Sequence, residues 1–92
     1  MQDTQRHSSG VWEDCLRIIE NNILPVQFET WFKPIRFVAL SGDVLTVEVP
    51  TIYYRDFIEQ KFIDLLTKTL RRVIGNNAQL RYRVAPVQGQ PS

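Results

Sequence analysis

Between residues 11 and 24 the apolar side chains Trp12, Leu16, Ile19 and Ile23 recur at steps of four, three and four, the spacing of one face of an α-helix. Glu13 and Asp14 fall in the first turn of that pattern, where the helix dipole favours negative charge. Asn21, Asn22 and Pro25 close it, and Pro25 suits the first turn of a second helix over residues 25–32. The second helix places Phe28, Trp31 and Phe32 three to four apart, a spacing that predicts core positions. Lys33-Pro34 ends it, because a residue before proline is pushed out of the helical region.

The period then changes to two. Residues 35–40 and 44–49 are β-rich runs on either side of Ser41-Gly42-Asp43, a hairpin signal. In the second run Val44, Thr46 and Glu48 alternate with Leu45, Val47 and Val49, so one face is buried and one is wet. After Pro50, Thr51 is placed to cap a long third helix over residues 52–74. Its apolar stripe is Tyr54, Ile58, Phe62, Leu65, Leu66, Thr69 and Val73. Gly75-Asn76-Asn77 stops it, and residues 78–84 alternate again, with Leu80, Tyr82 and Val84 set against Gln79, Arg81 and Arg83. The order α-α-β-β-α-β predicts an α+β fold, a three-stranded sheet covered on one face by helices. Strand order stays open. Residues 1–10 are predicted to be a disordered tail, residues 11–85 the folded domain and residues 86–92 the start of a linker.

Composition narrows the function. The chain has 92 residues, 43% of them hydrophobic, enough for one small core. Net charge is +1, but it is unevenly spread. Residues 1–60 carry five Lys/Arg against nine Asp/Glu, and residues 61–92 carry six against one, so the C-terminal third is basic. Cys15 is the lone cysteine, which rules out an intramolecular disulfide and reads as a small core residue. No apolar run approaches the roughly 20 residues of a membrane span. The first ten residues lack a signal-peptide core, so a cytoplasmic chain is expected. His7 is the lone histidine and lies in the tail, so neither a Cys/His metal spacing nor a Ser/His/Asp set can be assembled. There is no Gly-rich phosphate loop. The pairs Glu13/Asp14 and Asp56/Glu59 sit at helical surface spacing and read as solvated faces. The unusual residues are spent on packing and docking, which points away from an enzyme.

Three segments carry a family resemblance. They are Trp12-Glu13-Asp14-Cys15-Leu16; then Pro25, Phe28 and Thr30-Trp31-Phe32-Lys33-Pro34-Ile35; then Val49-Pro50-Thr51-Ile52-Tyr53-Tyr54-Arg55-Asp56-Phe57-Ile58. In order and spacing they resemble the N-terminal domain of the DnaA family of bacterial chromosomal replication initiators, over residues 11–84. The resemblance implies a KH-like fold, weak self-association, recruitment and loading of the replicative helicase, and docking of initiation regulators. It implies no cofactor and no metal in this domain. ATP would belong to the AAA+ ATPase of the full-length protein, which also carries a helix-turn-helix DNA-binding domain and works in the cytoplasm at the nucleoid.

Residue by residue, the resemblance assigns self-association to Trp12, helicase contact to Gln27 and Tyr53, and regulator docking to Thr51. Gln27 stands where the family often has an acid, Thr51 where it often has Asn, and Tyr53 where Phe is common, so an ionic contact at Gln27 is ruled out. The residues themselves also allow plainer roles. Trp12 lies on the apolar face of its helix, Thr51 is a helix cap, and Gln27 is a solvated polar residue. Tyr53 precedes Tyr54, and at about 100° per residue one of the pair must point outward; Tyr54 fits the buried stripe, which leaves Tyr53 exposed.

Two other readings compete. A KH-like module could bind single-stranded nucleic acid through Lys61, Lys68, Arg71, Arg72, Arg81 and Arg83. The chain lacks the GXXG loop of true KH domains and the strongly basic charge of an autonomous binder. Arg71 and Arg72 also complement a helix C-terminus. Weak, salt-sensitive contact is therefore the most this reading supports, at Lys68, Arg71, Arg72, Arg81 and Arg83. The third reading is the docking domain of a clamp-loader subunit, which shares the fold; the Trp-x-x-Cys-Leu opening near the chain start favours the initiator.

Overall fold

The periodic segments form elements in the expected order, but two helices have different ends. The computed structural model describes residues 4–86, with side chains from residue 10 onward. Helix α1 spans Thr4–Glu20. Helix α2, Pro25–Gln27, runs directly into a π-helical turn, Phe28–Phe32. Strands β1 (Arg36–Ser41) and β2 (Val44–Val49) form the hairpin. Helices α3 (Ile52–Lys61) and α4 (Ile63–Val73) lead to the last strand, β3 (Gln79–Val84).

Residues 4–9, expected in a disordered tail, have helical backbone. Once Trp12, Cys15 and Ile19 hold α1 against the core, each residue added upstream gains a hydrogen bond without a new nucleus. Glu13 and Asp14 are therefore mid-helix, and the first turn holds no acid. Asp14 instead accepts a hydrogen bond from Arg17 at 2.6 Å. The helix stops at Glu20 rather than at residue 24. The Asn22 side chain donates to the Ile18 carbonyl (2.7 Å) and satisfies one of the free end groups. Residues 1–3 and 87–92, with the remainder of the expected tail and linker, lie outside the described residues, as does the His7 side chain.

The sheet has the order β1-β2-β3, with β2 antiparallel to β1 and parallel to β3. A parallel neighbour needs a long crossover, and α3 and α4 supply it. Central β2 buries Leu45, Val47 and Val49 completely. Phe37 pairs with Val47 and Ala39 with Thr46, so Val38 is an extra residue in a bulge. The bulge lets Phe37 and Leu40, three residues apart, both pack toward the helices. Gly42 takes φ 60° in the hairpin turn, a conformation that favours glycine.

The expected single helix over residues 52–74 is broken at Phe62, whose φ −121° and ψ 14° leave the helical region. The hydrogen-bond ladder survives on both sides: the Phe62 N–H reaches Ile58 (2.8 Å) and the Leu66 N–H reaches Phe62 (2.9 Å). Phe62 meets Phe32 edge-on at 5.3 Å and Phe57 at 6.1 Å. Ile58 on α3 and Leu66, Thr69 and Leu70 on α4 are buried in one core on either side of the corner. Leu70 is a core residue that the apolar stripe omitted. Buried Thr69 satisfies its hydroxyl by donating to the Leu65 carbonyl (2.7 Å).

Phe32 is the largest side chain with no exposure, and its ring touches both Phe28 and Phe62. Phe32→Ala should cost about 3–5 kcal/mol, a large part of the total for so small a domain. Urea unfolding followed by far-UV circular dichroism measures this directly.

Candidate docking surfaces

Two helical segments meet through aromatic rings, and the candidate residues are arranged around that contact. The π turn comes from an i→i+5 hydrogen bond, Lys33 N–H to the Phe28 carbonyl at 3.0 Å. The wider turn sends Phe28 and Phe32 into the core and leaves Trp31 half-buried on its flank. Trp31 stacks on Phe57 at 3.9 Å and 15°, and meets Tyr54 edge-on at 5.1 Å. Such offset and edge contacts each contribute about 0.5–1.5 kcal/mol beyond area burial. Together they make the start of α3 a rigid platform.

Tyr53 stands on that platform and is 75% exposed. Its neighbour Tyr54 is packed against the core cluster, so the pair divides as the helical angle predicts. Thr51 occupies the N-cap position of α3 in extended backbone, yet its side chain makes no capping hydrogen bond. Its carbonyl takes the Tyr54 N–H at 3.1 Å. The exposed Thr51 hydroxyl is therefore free for a partner, which a sequence reading as a side-chain cap would not suggest.

Gln27 is partly engaged at home. Its Oε1 accepts the Leu24 N–H at 3.3 Å, the return half of a capping box. The rest of the side chain lines an open groove between α2 and the α3–α4 corner, with Leu24, Lys61, Phe62, Asp64 and Leu65. Gln27 and Tyr53 are thus not one cluster. Lys61 and Tyr53 lie eight residues apart on α3, about 12 Å along its axis. Each has exposed apolar neighbours that the stripe pattern did not single out: Leu24 (62%) and Val26 (66%) beside Gln27, and Ile52 beside Tyr53. Their one sequence signal is that they fall off the apolar stripes.

Trp12 is different. It is 4% exposed and belongs to the core cluster, so it offers no free indole face. Its Nε1–H finds no hydrogen-bond partner among the described residues. A buried donor left that way costs about 1–3 kcal/mol.

The basic residues do not form one stripe. Arg71 and Arg72 diverge from the last turn of α4. Arg72 lines a groove against α1 with Asp14, Arg17, Ile18 and Asn21, while Arg71 lines one against β3 with Ala78 and Leu80. Lys68 is exposed one turn earlier on α4. Arg81 and Arg83 alternate with the helix-facing Leu80 and Tyr82, so they lie on the open face of the sheet. There Arg83 donates to Glu48, its cross-strand neighbour, at 2.6 and 3.1 Å.

Among the described residues, burial shifts two groups. Burial pushes the Cys15 thiol up to about 12, with the Asp14 charge adding to it. Burial also raises Tyr82, and its hydrogen bond to Glu59 (2.7 Å) raises it further. Neither is a nucleophile at neutral pH. Among the described residues no group of three His, Cys, Asp or Glu side chains is placed to hold a metal ion. No helix of the described residues is long and apolar enough to cross a membrane.

The family model for the DnaA N-terminal domain matches residues 9–72. The chain belongs to that family. It is 43% identical over 75 residues to the chromosomal replication initiator protein DnaA of Bacteroides fragilis, covering 82% of this chain and 16% of that protein. It is 42% identical over 83 residues to DnaA of Chlorobaculum tepidum, covering 88% of this chain and 17% of that protein. The chain thus spans about one sixth of the length of these relatives. The fold is similar to that in the crystal structure of a HobA–DnaA (domain I–II) complex from Helicobacter pylori, with a TM-score of 0.69, 18% identity, and 83% of this chain and 99% of that chain covered. Within the DnaA N-terminal domain match lie Trp12, Gln27, Thr51, Tyr53, Lys68, Arg71 and Arg72, whereas Arg81 and Arg83 on β3 fall beyond it.

Burial separates the two aromatic candidates. Trp12→Ala should destabilise the domain by about 3–5 kcal/mol, whereas Tyr53→Ala should stay within about 0.5 kcal/mol of wild type; urea midpoints decide both. The Cys15 thiol makes a second, pH-dependent prediction. The folded state holds its proton more tightly than the unfolded chain, whose thiol titrates near 9.0. The resulting stability is intact below pH 9.0 and is lost as pH rises from there toward 12. Tyr82 acts in the same direction, so the difference between wild type and Cys15→Ala in alkaline unfolding isolates the thiol.

Proposed function

We propose that this domain is a protein-docking module of a chromosomal replication initiator, with no catalytic role of its own. The observation that carries the reading is Tyr53, a large aromatic 75% exposed on the platform made by Trp31, Tyr54 and Phe57. An aromatic held rigidly at a surface loses little freedom on binding, which is why such residues become hot spots. Tyr53 and Gln27 contact the replicative helicase and promote its loading, and the free hydroxyl of Thr51 contributes to regulator docking. Two separate contact points, one in the groove beside Lys61 and one at the start of α3, suit a folded partner better than a short peptide. Support for a protein partner comes from the similar Helicobacter pylori domain, which was crystallised in a complex with HobA.

Self-association uses the outer surface of α1. Trp12 serves it from inside, by fixing the helix whose exposed residues include Glu13, Arg17 and Glu20. Each contact is weak alone. Copies gathered on an origin by longer initiator chains would reinforce one another through effective concentration. In that full-length protein ATP belongs to a separate ATPase domain, and the site of action is the cytoplasm at the nucleoid. Direct binding of single-stranded DNA is a minor activity at most, because Arg71, Arg72 and the pair Arg81/Arg83 point to three different surfaces.

Titrating the isotope-labelled domain with the replicative helicase of the same organism tests the reading. Backbone amide shifts should cluster at Gln27 and around Tyr53, and Tyr53→Ala should weaken binding at least about tenfold, or 1.4 kcal/mol, with the fold intact. If helicase shifts nothing while oligothymidylate shifts residues from Lys68 to Arg83 at physiological salt, the nucleic-acid reading replaces it.

A further inference from the structure

The outer edge of β3 has the features of a strand-accepting site. β3 is the last strand of the order β1-β2-β3, so one side of it has no neighbouring strand among the described residues. Its pairing with β2 decides which groups face outward. The Gln79 N–H donates to the Asp43 carbonyl (2.9 Å) and the Ala85 N–H to the Val49 carbonyl (2.8 Å). In a parallel ladder alternate residues use both N–H and C=O on the same neighbour. Odd-numbered residues therefore face β2, and the N–H and C=O groups of Leu80, Tyr82 and Val84 face the free edge. An unpaired row of this kind is a template for another strand.

The surroundings of the edge are of two kinds. On the helix side, at the start of the strand, a groove of about 200 Å³ is lined by Ile63, Leu66, Leu70 and Leu80 together with the polar Glu59, Arg71 and Asn76. Ile63 and Val84 are large apolar residues left well exposed. On the open side of the sheet Arg81 and Arg83 project from the same strand. Arg83 is held by Glu48, while Arg81 has no ion-pair partner among the described residues. A strand added here would send alternate side chains toward Ile63, Leu80 and Val84 on the helix side and over the arginines on the other.

We infer that the free edge of β3 accepts an extended segment of a partner protein in which apolar and acidic residues alternate, its apolar side chains turned toward Ile63, Leu80 and Val84 and its carboxylates meeting Arg81 and Arg83. Charge selects this occupant over the others. A second copy pairing antiparallel through its own β3 would set the arginines of the two copies against one another, and like charges across a strand pair are destabilising. Single-stranded nucleic acid needs aromatic stacking platforms as well as charge; the open face, with Arg36, Ala39, Thr46, Glu48, Arg81 and Arg83, carries no aromatic residue. The site shares no residue with Gln27, Thr51 or Tyr53 and stands or falls independently of the proposed function.

The test uses the whole chain and a blocked six-residue peptide of alternating leucine and glutamate, the length of β3. Amide exchange is read by NMR. Exchange at Leu80, Tyr82 and Val84 should slow by about tenfold or more on adding peptide, with little change at Gln79 or Arg81, whose amides already bond β2. Arg81→Glu should reverse the preference toward a leucine–lysine peptide. Val84→Pro, which removes one edge N–H and leaves the β2 ladder intact, should weaken the leucine–glutamate peptide severalfold. Equal binding of a scrambled peptide, protection at residues away from the edge, or indifference to Arg81→Glu would overturn the inference. So would protection that rises with domain concentration alone, the mark of self-pairing, or protection by oligothymidylate and not by peptide, the mark of a nucleic-acid surface.

Discussion

Phe32 has no exposed surface, and its contacts hold the two halves of the molecule together. It meets Phe28 on its own π turn and Phe62 at the corner between α3 and α4. Trp31, next to it, stacks on Phe57. One short segment therefore fixes the position of two helices. Ile58, Phe62, Leu66 and Leu70, four residues apart, all face the same core across the break between α3 and α4. The break at Phe62 gives up regular helical geometry at one residue, and the aromatic contacts and shared core offset that. π turns of this kind occur disproportionately at functional sites, and here the turn lies directly under the platform that presents Tyr53.

The same packing explains why the reactive-looking groups are quiet. Cys15 is fully buried on α1, where desolvation holds its proton. Tyr82 reaches across to Glu59 and ties β3 to α3. The ion pairs given by Arg17 with Asp14 and Arg55 with Asp56 are exposed and contribute about 0–1 kcal/mol each. Stability rests on the apolar core, and the surface is left for recognition. That surface is divided. The helical side carries exposed aromatic and apolar residues around α2 and α3, and the far side carries the charged open sheet and an unpaired edge. A domain with two chemically distinct faces can hold one partner without blocking another.

Membership of the DnaA N-terminal domain family gives the helical side its context, since Gln27, Thr51 and Tyr53 lie within the matched residues. Two of these positions gained a different meaning from the structure. Thr51 sits at a cap position without acting as a side-chain cap, and Gln27 spends one oxygen on the Leu24 N–H. Both are local hydrogen-bond facts that residue type alone leaves open, because Thr and Gln can bond either to their own backbone or to a partner.

The order of elements, the buried face of β2 and the outward Tyr53 were determined by the sequence by itself. Each is a short-range consequence of spacing: period two for Leu45, Val47 and Val49, and the helical angle that separates Tyr53 from Tyr54. The family likeness was legible in the same way, from residues in register along the chain. Tertiary structure decided the rest. It extended α1 back to Thr4, where polar residues carry no periodic signal but a packed helix can propagate. It broke the third helix at Phe62, where the backbone leaves the helical region beside the contact with Phe32, a long-range neighbour that local periodicity does not reveal. It put Trp12 in the core, a choice that an apolar helix face allows equally with docking. It also set β3 parallel to β2 at the sheet edge and scattered the basic residues over three surfaces. Charge along a chain says how many arginines there are; only the crossover of the chain decides which way they face.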